Sequence, residues 1–246
     1  MTKEFIPRHK VILKDRDGTY LIPYTDPIPL VTQETDGLMS AADKYKLDNL
    51  SAKVEEVLYE APTVRLSGGS TQEMGTVVNT VNLSWTTNKD ITIQSINQGI
   101  GTLDPNLRKY TVTNANITSN RTYTITVGDG KKTASSSTSI SFQYRIYWGS
   151  SELEVLDNDT IVNFSSALAS SRKQSRVFNC SGGKYFYFVL PVSFVSGISF
   201  KANGFVYSDL VTNNVNVTSK NGYTSAYVIY RSANIQTGAS ISVEVL

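Results

Sequence analysis

A single cysteine, Cys180, stands in a chain of 246 residues, so no disulfide can close within it and packing alone must hold the fold. A single histidine, His9, leaves the His/Cys clusters of the usual zinc sites without material. Charge is scarce and balanced: 23 Lys and Arg stand against 21 Asp and Glu, which leaves +2 and no strong field of either sign. The densest basic group, Arg172, Lys173 and Arg176, is too small to neutralise a row of phosphates and reads as a solvated helix face. Nucleic acid is therefore not an expected partner. No window approaches the length of a membrane span, and the first ten residues lack the apolar stretch of a secretory leader. The expectation is a chain made and assembled in a reducing cytoplasm, with no membrane partner.

What is present favours β-structure. Hydrophobic residues at 40% suffice for a packed core, and 14 tyrosines with abundant Ser, Thr and Asn suit a pleated, half-solvated surface. Residues 1–37 read as an extended arm. Val11, Ile12 and Leu13, then Asp17-Gly18, then Tyr20, Leu21 and Ile22 form a hairpin pattern, and Pro23, Pro27 and Pro29 forbid helix after it. An arm this short cannot bury its own apolar residues, so it needs neighbouring chains or a docking partner.

Residues 38–61 carry the one strong helix signal. Ser40 is an N-cap with Asp43 at the third helical position. Leu47, Leu50, Val54, Val57 and Ala61 then recur at spacings of three and four, the pattern of a coiled-coil seam about two heptads long. The seam predicts self-association; the alternative is an amphipathic helix packed on its own domain. Beyond Pro62 short apolar or alternating runs dominate, with turns at Gly68-Gly69, Asn88-Lys89-Asp90 and Gly128-Asp129-Gly130. They predict a mainly β chain with two antiparallel β-sandwich domains, residues 62–149 and 150–246. Trp85 in a central strand encourages an immunoglobulin-like shape, without the paired cysteines of true members. A short helix is expected near Asn163, within the Ser-rich stretch from Ile161 to Val177.

Candidate chemistry is sparse. A Cys180–His9 dyad lacks an orienting third group. Asp157 and Asp159 flank Asn158 without the glycine and closing glutamate of a calcium loop. Glu152 and Glu154 add two carboxylates, but in a linker-like stretch rather than across a cleft. No catalytic residue, metal site or cofactor is expected. The last domain has a tyrosine surplus: Tyr207, Tyr223 and Tyr227 are candidate glycan-binding residues, because aromatic faces stack on sugar rings. Tyr185-Phe186-Tyr187-Phe188 places aromatics on both faces of one strand, which predicts burial on two sides.

The string from Asp36 to Asp48, DGLMSAADKYKLD, resembles a segment of tailed-phage fibre proteins that opens a short helix between an attachment region and β domains. The stretch Phe142 to Gly149, and Tyr227 to Asn234 near the end, are similar to parts of phage tail β domains. Lys14 to Gly18 resembles attachment segments of such fibres, including those of crAss-like phages. The resemblance implies a homotrimeric, non-enzymatic virion protein: a head or tail fibre or capsid decoration. It implies attachment to capsid, portal/neck or tail proteins through the arm residues Val11, Ile12, Leu13, Tyr20, Leu21 and Ile22, and trimerisation through the helix. The runner-up is a receptor-binding module that takes a glycan of the host-cell surface.

Overall fold

The computed structural model describes residues 39–246, together with the backbone of two short strands before them. These are β1 (Leu13–Lys14) and β2 (Tyr20–Leu21), antiparallel with Leu13 opposite Leu21. The remaining arm residues, including Val11, Ile12 and Ile22, lie outside the described residues, as does His9.

The chain divides into two compact units, residues 1–61 and 62–246. In the first, helix α1 (Ala41–Leu58) starts where the cap chemistry places it. The Asp43 backbone N–H donates to Ser40 Oγ at 3.1 Å, and the Ser40 hydroxyl donates to Asp43 Oδ2 at 2.9 Å. That hydroxyl, and then Lys46, hold the Asp43 carboxyl below the usual carboxylate range. The helix ends on an extended Tyr59, ahead of Pro62. Ala61 therefore lies beyond the helix, and the expected seam shortens to Leu47, Leu50, Val54 and Val57.

In the second unit, β3 (Val64–Ser67), β4 (Ser70–Glu73), β5 (Val81–Thr87), β6 (Ile93–Ile96), β7 (Gly101–Leu103), β8 (Lys109–Val112) and β9 (Arg121–Gly128) build a first lobe. The sheet β3-β5-β8 packs against a sheet that runs β7-β6-β9 and on into β10 (Thr133–Ser151), with β4 parallel to β10. Alternation does the sorting: Val81, Leu83 and Trp85 point inward, while Asn82, Ser84 and Thr86 point out. Trp85 Nε1 donates to the buried Gln94 Oε1 at 3.0 Å, which satisfies both polar groups inside the core.

Strand β10 spans 19 residues, roughly 60 Å at the usual rise. Nothing in TASSSTSISFQYRIYW breaks it, since proline and glycine are absent until Gly149. Its first half pairs with β9, and Ser135, Ser137 and Ser139 share hydroxyl bonds with Thr126, Thr124 and Thr122. Its second half pairs with β11 (Ser165–Ala169) on one side and β13 (Tyr185–Pro191) on the other. The domain break expected at 149–150 falls inside this strand. The change of core comes earlier, between Phe142, which packs in the first lobe, and Ile146, which packs in the second. Arg145, between them, ties β10 to β4 through a 2.7 Å ion pair with Glu73.

The second lobe adds α2 (Asn158–Asn163), β12 (Gln174–Phe178), β14 (Phe200–Ala202), β15 (Phe205–Val206), β16 (Leu210–Thr218), β17 (Thr224–Ser232) and β18 (Ile241–Val245). Its larger sheet runs β16-β17-β13-β10-β11 and faces β12-β18-β14-β15. The helix expected to begin near Asn163 instead ends there. Asp157 caps it, taking the Thr160 N–H at 2.7 Å. The Ser-rich stretch that follows forms β11 and β12, because β10 and β18 offer it strand partners. Arg176 accordingly sits on a strand, 3.9 Å over the Trp148 ring, and not on a helix face.

Candidate functional site

Three features could carry function: the seam of α1, the aromatic strand β13 with its surroundings, and a groove beside β16. On α1 the four seam residues are all exposed, from 46% for Val54 to 82% for Val57, and the helix buries none of its residues. An 18-residue helix that buries nothing is marginal in water, since most helical stability comes from packing of the apolar face.

Strand β13 is buried at every position, as its two-faced aromatic pattern predicts. Phe186, Phe188 and Leu190 enter the core between the two sheets, with Phe178, Phe200, Val243 and Val245. Tyr185, Tyr187 and Val189 face a separate cluster with Tyr147, Leu156, Ile161 and Tyr227. The hydroxyls in this cluster have internal partners. Tyr185 donates to Glu154 at 3.0 Å, Tyr187 donates to the Leu153 carbonyl, and Tyr147 shares a 3.2 Å bond with Ser219. Arg231 stacks 4.2 Å over Tyr185, with Glu154 at 3.8 Å.

Of the three tyrosines expected to stack on sugar, Tyr227 is 2% exposed and donates its hydroxyl to the Arg145 carbonyl at 2.7 Å. It belongs to the core, which corrects its assignment to a binding surface. Tyr207 is half-buried, with its ring 5.4 Å from Phe186, and Tyr223 is half-buried against Gly75.

Burial governs the protonation of this cluster. It pushes the Tyr187 hydroxyl up to about 12 and raises Tyr147 and Tyr227 as well. The folded state thus keeps protons that the unfolded chain releases near pH 10. Stability held below pH 10 is lost as pH rises towards the folded values. The thermal midpoint is expected to be level from pH 6 to 8, to begin to fall near pH 9 as the unfolded chain releases the Cys180 thiol proton, and to fall more steeply from pH 10 to 12 as the tyrosines follow. A midpoint unchanged at pH 12 would contradict the buried, neutral tyrosines.

The residues with catalytic potential do not converge. Cys180 is fully buried, and burial pushes its thiol up, away from the reactive thiolate. Asp157 is the cap of α2, and the Thr160 hydroxyl and N–H hold its carboxyl below its ordinary value. Glu154 meets Tyr185 and Arg231. Among the described residues no group of three His, Cys, Asp or Glu could hold a metal ion.

The groove lies beside Val192 and Val195, which follow β13. It is an open depression of about 570 Å³, lined also by Asn214–Asn216 of β16 and Ala226–Val228 of β17. No pattern in the sequence points to it, because its walls come from three short segments, near 192–195, 214–216 and 226–228, and none is conspicuous alone.

No family model matches the chain, and no curated protein matches it. Solved structures similar to it include the N-terminal eight immunoglobulin domains of Down syndrome cell adhesion molecule, at 10% identity and a TM-score of 0.25 over 71% of this chain. An I-band fragment of titin is similar at 10% identity and a TM-score of 0.26 over 75% of this chain. The chain spans 23% of the first structure and 64% of the second, and likenesses of this size leave the β-sandwich architecture to rest on the strand pairing itself.

Proposed function

We propose that this chain is a non-enzymatic structural protein of a tailed-phage virion, an appendage held by its N-terminal segment and presenting its β lobes, with α1 joining three copies. The assignment to phage fibres rests on the sequence resemblance at Asp36–Asp48, Phe142–Gly149 and Tyr227–Asn234. The observation that carries the assembly is the seam of α1, where Leu47, Leu50, Val54 and Val57 stay exposed in the single chain. Each gains roughly 1.5–3 kcal/mol on full burial. The four together suffice to offset the marginal stability of a short helix only when copies share the seam.

Light scattering is expected to return three times the chain mass of 27.1 kDa. A Leu50→Glu, Val54→Glu double variant should return the single-chain mass with unchanged near-ultraviolet circular dichroism, because α1 buries no residue. A wild-type chain of single mass at micromolar concentration would overturn the stem. Attachment is tested by deleting residues 1–37 and measuring incorporation into particles. Full occupancy by the truncated chain would overturn the anchoring role.

A further inference from the structure

Strand β16 forms one edge of the second lobe's larger sheet, with β17 on one flank and no strand among the described residues on the other. It is nine residues long and reads LVTNNVNVT, without charge, proline or glycine. Folded proteins ordinarily keep exposed edges short, charged or broken, because unpaired backbone invites another strand. Here β7 and β15 are edges of three and two residues. β16 has no such protection along its length.

The ladder determines which backbone groups are free. Ser219 N–H donates to the Tyr223 carbonyl and Ala233 N–H to the Asp209 carbonyl, so odd-numbered residues turn their backbone towards β17 and even-numbered ones turn it outward. Thr218 obeys this parity, and its end is closed. Its N–H donates to Asn158 Oδ1 at 2.8 Å, and its carbonyl accepts from Asn158 Nδ2 at 3.2 Å. At the other end Leu210 N–H donates to the Ser208 carbonyl. Between these caps Thr212, Asn214 and Asn216 present outward N–H and C=O groups, and all three residues are exposed. The side chains of Asn214 and Asn216 share their face with the groove at Val192 and Val195, which leaves space for the side chains of an added strand.

We infer that β16 is a self-pairing edge: a second copy of this chain adds its own β16 antiparallel across a two-fold axis, with Asn214 opposite its symmetry mate and Thr212 opposite Asn216. Three such pairs exchange two bonds each, about six hydrogen bonds in all. The occupant is a second copy because the open window is short, closed at both ends and centred on Asn214, so two identical windows fill one another completely. A longer foreign strand would meet the Asn158 cap. The lack of charge means that self-pairing sets no like charges opposite each other. The contact is smaller than a stable dimer needs, so it is weak singly and strengthens where several chains are held together. It does not depend on the stem.

Oxidation of the full chain carrying Asn214→Cys tests this. A covalent species at twice the chain mass of 27.1 kDa is expected on a non-reducing gel, lost on reduction. Facing Cα atoms in such a pair lie about 5.5 Å apart, within disulfide reach. Thr212→Cys and Asn216→Cys chains should each stay single alone and cross-link when mixed. The wild type, whose Cys180 is buried, should not cross-link. The Leu50→Glu, Val54→Glu background should keep the pattern, so a failed stem leaves this result standing. Absence of the Asn214→Cys species, or equal self-cross-linking by Thr212→Cys, would overturn the pairing.

Discussion

Replacement of Phe188 by alanine is expected to remove about 3–5 kcal/mol of stability, the range for a fully buried phenylalanine whose cavity only partly closes. Phe188 is fully buried on β13, with its ring 5.2 Å from Phe178 and 6.1 Å from Phe200. Its strand neighbours are Trp148 of β10 and Tyr230 of β17, so the void would open at the centre of the larger sheet. Sheets on both sides hold their positions through backbone pairing, which limits collapse into the gap. A typical domain has only about 5–15 kcal/mol in total, so the loss is a large fraction of it. Phe205→Ala supplies the comparison: Phe205 is 79% exposed, and its loss should stay within about 0.5 kcal/mol. Denaturant midpoints of the two variants measure the difference. Amide exchange should quicken first in strands β13, β17 and β18, whose side chains share that core. Equal midpoints for the two variants would show that the second lobe's core lies elsewhere.

The burial of Phe188 is legible in the sequence, and the reason is local. Four consecutive aromatics leave neither face of a strand polar, so both must be covered. The same logic found β5 from its alternation and α1 from Ser40 and Asp43. It failed where the deciding partner is distant in sequence. Ser165 to Arg176 has no strong period of its own, and its two strands exist because β10 and β18 present open edges to it. The position of Tyr227 depends in the same way on distant partners. Alternation puts Tyr227 and Ile229 on one face, but only the packing of Leu156 and Ile161 onto that face makes it an interior. The continuity of β10 was hidden by Gly149, which resembles a break and is instead a site of close approach: a Cβ there would lie 2.6 Å from the Phe164 ring.

Gly75→Ala is expected to cost about 2–5 kcal/mol, and its comparison with Gly99→Ala separates the two causes. Both glycines have positive φ, +88° and +78°, where an L side chain costs about 1–2 kcal/mol by itself. At Gly99 a Cβ would meet nothing within 4 Å, so the backbone term stands alone. At Gly75 the new Cβ would lie 2.2 Å from Tyr223 Cβ, a distance that side-chain rotation cannot relieve because that atom is fixed to the backbone. The turn after β4 would have to move away from the turn between β16 and β17, at a further cost of about 1–3 kcal/mol for overpacking. The same displacement would stretch the 2.9 Å bond from Asn221 Nδ2 to the Met74 carbonyl, the neighbouring tie between the two lobes. Exchange of the Asn221–Tyr223 amides should therefore rise in Gly75→Ala and stay unchanged in Gly99→Ala. Equal destabilisation by the two substitutions would mean that Tyr223 does not rest on Gly75 in solution.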